Sequence, residues 1–581
     1  MINIRINDIP LQVEEGTTIL KAARKLNIYI PTLCYLSLHV VNDSKIHASC
    51  RVCVVEVKGR RNLVPSCSAK CEEGMEIYTN TKRVIRARRA MIELLLSDHS
   101  QECATCEKNT KCQLQRIAAK MNIREMPYKG EKSQPDIFIR SAAIKRNPSK
   151  CILCGNCVEV CNKVQSMGVL TYYNRGFNTQ VGPAFEENLD FTKCVSCGQC
   201  VAVCPTGALS QSNQVSEVWD AIHDPKKHVV VQVAPAIRVS IGEEFGYELG
   251  TSVKGRLISA LRTLGFNKVF DTNFAADLTI MEEGHELLNR IKNNENLPLL
   301  TSCCPGWVSF IEKEYPEYLN LPSTAKSPQE MFGAVAKSYY AEKAGIDPKD
   351  IVVVSIMPCL AKKKEANRIE LRNNDLKNVD YVLTTRELAN MIKETGINFD
   401  TLPDGIFDSL LGDSTGAADI FGSSGGVLEA AIRNIKLTVE GKVQNVEFRS
   451  VRGYKGIKET TFTVNGTELK VAAVNGLSNA REIMEEIKAG TSPYVAVEVM
   501  ACPGGCVGGG GQPIHDGEEL AFERGKNLYY LDATADLRFS HENPDVLKMY
   551  EEFYGEPNSH KAHMLLHTEH KAKEVNYGKG F

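Results

Sequence analysis

Twenty-one cysteines punctuate this 581-residue sequence, and their grouping limits the possible folds more than any other feature. Five fall in three short stretches of the C-terminal half: Thr301-Ser302-Cys303-Cys304-Pro305-Gly306-Trp307, Met357-Pro358-Cys359 and Met500-Ala501-Cys502-Pro503-Gly504-Gly505-Cys506. Four thiolates spread over about 200 residues meet only through a folded domain. That is what a buried, fold-shaped cluster needs and what a local metal knuckle does not. The fifth, Cys303, adjoins a ligand position and is spare. A thiol there is a proton-carrier candidate, because its ordinary pKa lies close enough to neutrality to give and take a proton.

The length implies three to five domains. A net charge of −2, a pI near 6.7 and the lack of a long basic block argue against nucleic acid and anionic membrane surfaces. The longest apolar runs, such as Val229 to Ile237, are far below the roughly 18 residues of a membrane span, and Met1 to Asp8 has no signal-peptide character. A cytoplasmic location is expected. In that compartment so many cysteines mean metal or redox chemistry rather than disulfides.

Along the chain, Ile2-Asn3-Ile4-Arg5-Ile6 and Leu11-Gln12-Val13 alternate like a hairpin around Asn7 to Pro10, and Thr17 or Thr18 caps a short helix through Leu20, Ala23 and Leu26. Cys34, Cys50, Cys53 and Cys67 follow, with a Cys-x2-Cys pair between two flanking cysteines, a pattern suited to a [2Fe–2S] cluster or to structural zinc. The first gap, fifteen residues, is longer than the plant-ferredoxin four. Cys71 fits no cluster. Lys82 to Asp98 reads as a helix with an apolar stripe of Val84, Ile85, Met91, Leu94 and Leu95. It leads into His99, Cys103, Cys106 and Cys112, one loop able to surround one centre, for which zinc and iron–sulfur are both chemically acceptable. A linker ends near Ser133-Gln134-Pro135-Asp136.

Next stands an internal repeat: Cys151, Cys154, Cys157 and Cys161, then Cys194, Cys197, Cys200 and Cys204 before Pro205. This is the bacterial two-cluster ferredoxin run, in which the fourth cysteine of each run ligates the other cluster. Cys151, Cys154, Cys157 and Cys204 are thus expected on one [4Fe–4S], and Cys194, Cys197, Cys200 and Cys161 on the second. Asn162 replaces the proline of the first run. Beyond about residue 215 the pattern is that of an α/β enzyme. Strands are expected at Val229 to Val233, Ile351 to Val354 and Tyr494 to Val497, and helices at Leu257 to Leu264, Ala334 to Ala344 and Arg386 to Thr395.

The three C-terminal cysteine stretches resemble the signature motifs of the [FeFe]-hydrogenases, and the resemblance runs over nearly the whole chain. It implies an α+β multidomain protein. A β-grasp [2Fe–2S] domain (1–80) is followed by a His/Cys3 [4Fe–4S] domain (81–135) and a two-cluster ferredoxin-like domain (136–214). A large α/β catalytic domain (215–545) and a C-terminal helix and tail (546–581) complete it. The implied cofactors are one [2Fe–2S], three accessory [4Fe–4S] and an H-cluster. In the H-cluster, a [4Fe–4S] on Cys304, Cys359, Cys502 and Cys506 is bridged by Cys506 to a diiron dithiolate subsite with CO and CN ligands. The spacing of the first two cysteine groups is also similar to that in the large iron–sulfur subunit of respiratory complex I.

By the same resemblance, Lys362 and the backbone at Ala234 and Pro235 face cyanide, and Met357 and Met500 pack beside the irons. Phe421 to Gly426, including Gly422, lines the pocket. Ala236 replaces a serine of some members. The glycines at 504, 505 and 508–511 leave room for a bulky group near Cys506. Glu283, Glu286 and Arg290 share one helix face and coincide with the family's proton path, expected in the order Arg290, Glu286, Ser323, Glu283, Cys303.

The expected substrates are H2 and protons, and the expected electron partners are ferredoxin or flavin- and NAD-binding subunits of an electron-bifurcating, anaerobic complex. This chain has no Gly-x-Gly-x-x-Gly after a strand, which assigns nicotinamide and flavin to partners. Rival readings are a free-standing ferredoxin-dependent hydrogenase, a complex-I-like electron carrier, an H2 sensor and an iron–sulfur scaffold.

Overall fold

Alternating isoleucines start the chain as a strand, Ile2–Ile6, which turns back antiparallel onto Ile9–Val13 with Ile6 opposite Ile9. Asn7 and Asp8, at φ 47° and 65°, supply the two left-handed residues of the tight turn. The structure is a computed structural model that describes residues 1–36, 48–135, 137–441 and 447–575. Asp136 lies outside them. Glu76–Tyr78 adds parallel to the first strand, and Val54–Val57 and Val64–Pro65 complete a five-stranded sheet. The short helix Ile19–Lys25 packs on this sheet, its start closed by Lys21 N donating to Thr18 Oγ1 at 3.3 Å.

The helix Lys82–Asp98 forms as expected, but its buried face differs from the apolar stripe. Ile85 and Leu94 are exposed, and the inward row is Val84, Arg88 and Ile92. Arg88 occupies a core position because its stem packs while its Nε donates to Val54 O at 3.0 Å, a use that apolar patterning does not reveal.

The cysteine repeat folds as a structural repeat. Asn156–Glu159 and Gln199–Ala202 are matching short helices, each entered through a left-handed glycine, Gly155 or Gly198. Antiparallel pairing of Ile144–Arg146 with Leu209–Gln211 ties the two halves together.

The rest of the chain is built on two four-stranded sheets. One is wholly parallel, in the order Lys268–Asp271, His228–Val233, Ile351–Met357, Tyr381–Thr384. The other sets Leu299–Leu300, Ala496–Met500 and Thr467–Asn475 parallel, with Ile457–Val464 antiparallel at the edge. The central strands are valine-rich and buried on both faces, which is how helix-covered parallel strands read. The strand expected from Tyr494 begins instead at Ala496, because its ladder to Thr467–Asn475 starts with Val471 opposite Ala496. The helix expected over Ala334 to Ala344 contains a wider turn, Ala336–Tyr340. Among the described residues no helix is long and apolar enough to cross a membrane.

Candidate active site

Strand ends from both sheets converge on one cavity of about 80 Å³. Leu299 and Leu300 lie beside Ala496 and Val497, so the chain leaves neighbouring strands at Thr301 and Ala501 and brings Cys304 next to Cys502. Ala501 N donates to Cys304 Sγ at 3.4 Å. In the other sheet Val233 pairs with Ile356, which sets Ala234 and Pro235 beside Met357 and Cys359. The cavity wall is formed by Cys303, Cys304, Cys359, Cys502 and Cys506 with Met357, Met500, Lys362, Phe421 and Gly422. Burial first, and then the neighbouring thiols, push Cys359 up to about 12 and Cys502 well above its ordinary value. Such a set keeps its protons until a cationic centre displaces them.

Lys362 Nζ donates to Glu365 Oε2 at 2.7 Å and to the Cys303 carbonyl at 3.2 Å. Burial works against its ammonium, and Glu365 more than offsets that, so its pKa rises. It stands on the wall as a charged donor. The adjacent Lys363 is buried and paired with Glu387 at 3.0 Å.

The glycine run serves two purposes. Gly505 and Gly509 line the cavity, and a Cβ on Gly505 would lie 2.5 Å from Ser424 N. Gly510 instead lets the ferredoxin-like region approach, since a Cβ there would lie 2.7 Å from Cys197 O. Gln199 Nε2 donates to Gly508 O at 2.9 Å across the same contact.

The helix Thr272–Asn293, capped by Asp271, carries Glu283, Glu286 and Arg290. Arg290 Nη2 pairs with Glu286 Oε1 at 2.6 Å, and Ser323 Oγ donates to Glu286 Oε2 at 2.6 Å. Thr324 N completes the grip on Glu286 at 3.2 Å. Glu283 is buried, with Oε1 lacking any hydrogen-bond partner. Burial, then the charge of Glu286, raise its pKa to about 8, and Ser323 is the hydrogen-bonding neighbour that partly offsets them. Burial holds the Cys303 thiol well above its ordinary value, with Glu283 the next cause. Hydrogen bonds thus link the half-buried Arg290 to Glu286 and Ser323, with Glu283 and Cys303 as electrostatic neighbours on the cavity side.

Two carboxylates escaped the sequence reading. Glu498 interrupts the apolar strand Ala496–Met500 and accepts from Gly425 N at 2.6 Å and Leu428 N at 2.9 Å, fixing the loop that lines the cavity. A charge inside an otherwise apolar strand was its signal. Glu282 adjoins Glu283 but faces the C-terminal segment, and nothing in its spacing sets it apart.

Family models match the chain in series. Residues 1–82 match a 2Fe-2S iron-sulfur cluster binding domain, 88–127 the NADH-ubiquinone oxidoreductase-G iron-sulfur binding region, and 150–208 a 4Fe-4S dicluster domain. Residues 227–510 match the iron only hydrogenase large subunit, C-terminal domain, and 518–573 the iron hydrogenase small subunit. The NADP-reducing hydrogenase subunit HndD of Solidesulfovibrio fructosivorans is 52% identical over 98% of each chain. Iron hydrogenase 1 of Clostridium pasteurianum is 42% identical over 98% of this chain and 100% of its own. The chain belongs to the [FeFe]-hydrogenases. A solved apo [FeFe]-hydrogenase of Chlamydomonas reinhardtii, 44% identical, superposes with a TM-score of 0.57 over 62% of this chain and 99% of its own. The reaction of this hydrogenase is 2H⁺ + 2e⁻ ⇌ H2, with iron–sulfur domains carrying the electrons.

The residues present fit the cofactors of such an enzyme. The cavity has four converging thiols, with the Gly505 and Gly509 backbone on its wall. Cys151, Cys154, Cys157 and Cys204 line a second small cavity, and Cys161, Cys194, Cys197 and Cys200 a third, which is the crossed grouping expected from the repeat. In the N-terminal sheet domain Cys34 lies within hydrogen-bonding reach of Cys50 and Cys67, and Cys67 of Cys53. Cys71 is buried in the same core, its pKa pushed up to about 11 by burial alone.

His99 is buried with Nδ1 unpartnered. Its pKa falls to about 4 through burial, then through Lys150 and Lys132, so the ring is neutral and able to ligate. Of its companions, Cys112 is buried, Cys106 half-buried and Cys103 exposed. Cys112 Sγ approaches Pro205 O at 3.7 Å, joining this loop to the first ferredoxin-like group. Burial raises the Cys197 thiol and the nearby Cys359 adds to that, which sets the second group beside the active cavity.

Proposed function

We propose that this hydrogenase is the catalytic subunit of an NAD(P)-linked, electron-bifurcating complex that also uses ferredoxin. The observation that carries the reading is the 52% identity, over 98% of both chains, to a subunit named as NADP-reducing. The match of residues 88–127 to a region of NADH-ubiquinone oxidoreductase supports it, because that enzyme also takes electrons from a nicotinamide. Partner subunits then hold the flavin and nicotinamide, and the complex works in the cytoplasm of an anaerobe, where the nicotinamide pool is.

We read the chain as five units: a β-grasp domain (1–80), a His/Cys3 domain (81–135), a two-cluster domain (136–214), a catalytic domain (215–545) and a C-terminal helix and tail (546–581). Cys34, Cys50, Cys53 and Cys67 hold one [2Fe–2S]. His99, Cys103, Cys106 and Cys112 hold the first [4Fe–4S], and the two crossed sets hold the other two. Cys304, Cys359, Cys502 and Cys506 would hold the H-cluster in the cavity they line. When bound, that cofactor supplies the site at which two electrons and two protons combine.

The side chains do the rest. Met357, Met500, Phe421 and Gly422 exclude water, Lys362 presents its ammonium as a donor toward cyanide, and the backbone at Ala234 and Pro235 faces the same ligand. Protons pass from Arg290 and Glu286 through Ser323 to Glu283 and then Cys303. Glu283 suits this because it holds its proton at neutral pH yet can release it, its pKa being about 8.

The test is to tag the chain in its host, purify it without air and identify what co-purifies. The complex is expected to reduce NADP⁺ with H2 only when ferredoxin is present, and to show infrared bands of iron-bound CO and CN. A chain that purifies alone, with those bands and full ferredoxin-linked turnover, replaces the complex with a free-standing ferredoxin-dependent enzyme.

A further inference from the structure

The C-terminal segment closes over the proton series from outside it. Thr568 N donates to Thr324 O at 2.8 Å and Lys326 N to Leu566 O at 2.8 Å, so residues 323–326 are bound edge-on by residues 566–568. His570 Nε2 lies 2.8 Å from Ser323 O. Between these contacts sits the buried ring of His567. Its Nδ1 lies 2.8 Å from Thr324 Oγ1 and its Nε2 lies 2.9 Å from Glu282 Oε2. Glu282 is fully buried, and its other contacts, Tyr550 OH and Asn558 N, also come from the C-terminal segment. With Nε2 facing a carboxylate, the ring donates there and offers Nδ1 to the threonine hydroxyl. Thr324 is thereby held by its side chain and carbonyl while its N–H points at Glu286.

We infer that His567, fixed by Glu282, is a positioning residue for proton transfer: through Thr324 it sets the Ser323–Thr324 turn that grips Glu286. The inference rests on the proton series proposed above. Glu286 accepts from the Ser323 hydroxyl and the Thr324 amide on adjacent residues, so a small rotation of this turn moves both donors at once. Proton relays need donor and acceptor within hydrogen-bond reach, and a displacement of about 1 Å is enough to cost an order of magnitude or more in rate.

The experiment compares His567→Leu, His567→Gln and Thr324→Val in the full chain. Glutamine keeps one donor and one acceptor on a similar reach, and valine keeps the threonine shape and its amide. Expected for His567→Leu are unchanged CO and CN infrared bands, an unchanged KM for H2, and a kcat lowered about tenfold. Amide exchange across residues 323–326, followed by mass spectrometry in the unloaded chain, is expected to quicken. Thr324→Val should match it, and His567→Gln should recover most of the loss.

Parental kcat and exchange in either His567→Leu or Thr324→Val overturn the inference, as does a glutamine variant no better than leucine. If His567→Leu does not fold, Thr324→Val decides alone. Glu286→Gln separates the two levels. Full turnover in that variant sinks the proton series itself, whereas its collapse beside an unaffected His567→Leu sinks only the positioning role.

Discussion

A carboxyl group buried beside a second carboxylate keeps its proton, and Glu283 does so with a pKa of about 8. The sign of the consequence is fixed by where the proton sits. The folded chain binds it more tightly than the unfolded chain, whose group titrates near 4.5. Glu283 therefore subtracts nothing below that value, subtracts progressively more as pH rises through the window to about 8, and its full cost remains above it. Glu283→Gln is expected to gain stability on the parent across that window in denaturant titrations of the unloaded protein. The loaded variant should lose nearly all H2 turnover, since an amide does not relay a proton. Infrared difference spectra should show a protonated-carboxyl band that fades with a midpoint near pH 8 in the parent and is missing in the variant. A parent group already ionised at pH 6 would remove Glu283 as a proton store.

At the scale of elements, the helix Gly426–Glu440 has no side-chain cap of its own and begins at a left-handed glycine, Gly425. Its free N–H groups are met from another sheet by Glu498, whose two oxygens take Gly425 N and Leu428 N. A carboxylate at the positive end of a helix is favourable, and deleting it leaves buried donors unpaired at a cost of about 1–3 kcal/mol each. Glu498→Ala is accordingly expected to lower unfolding stability by about 3 kcal/mol, with Glu498→Gln losing less. An unchanged denaturant midpoint for the alanine variant would show that the loop holds itself.

This element also marks what the sequence made legible. Cysteine spacing was readable because ligands must recur at fixed intervals, and the crossed grouping of Cys161 and Cys204 was readable for the same reason. The helix Lys82–Asp98 was signalled by its apolar period, whereas of Thr272–Asn293 the spacing of Glu283, Glu286 and Arg290 indicated only one face. Glu282, His567 and Lys363 were not singled out, because each meets a partner far along the chain and local spacing carries no trace of that, while Glu498 was marked only as a charge in an apolar strand, without its partners. Arg88 was missed in a core row because its packing part is the stem and its label is the charge.

Taken whole, the molecule is a series of redox units whose spacing depends on a few close backbone contacts. One of them joins the ferredoxin-like region to the catalytic cavity. Gly510 touches the Cys197–Gly198 loop, Gln199 reaches Gly508, and Cys197 lies within electrostatic reach of Cys359 and Cys502. A methyl group on Gly510 would lie 2.7 Å from Cys197 O, well inside van der Waals contact. The glycine cannot retreat freely, because Arg386 Nη2 donates to its carbonyl at 2.9 Å from the other side. Gly510→Ala is therefore expected to widen the joint between the last accessory thiolate set and the active cavity without changing the cavity wall. Turnover driven by reduced ferredoxin should fall several-fold. Exchange between D2 and solvent protons, which needs the active cavity and the proton series but no electron from outside, should continue at the parental rate. Parallel loss of both activities would place the damage inside the cavity, and then Gly510 serves the cofactor pocket rather than the electron path.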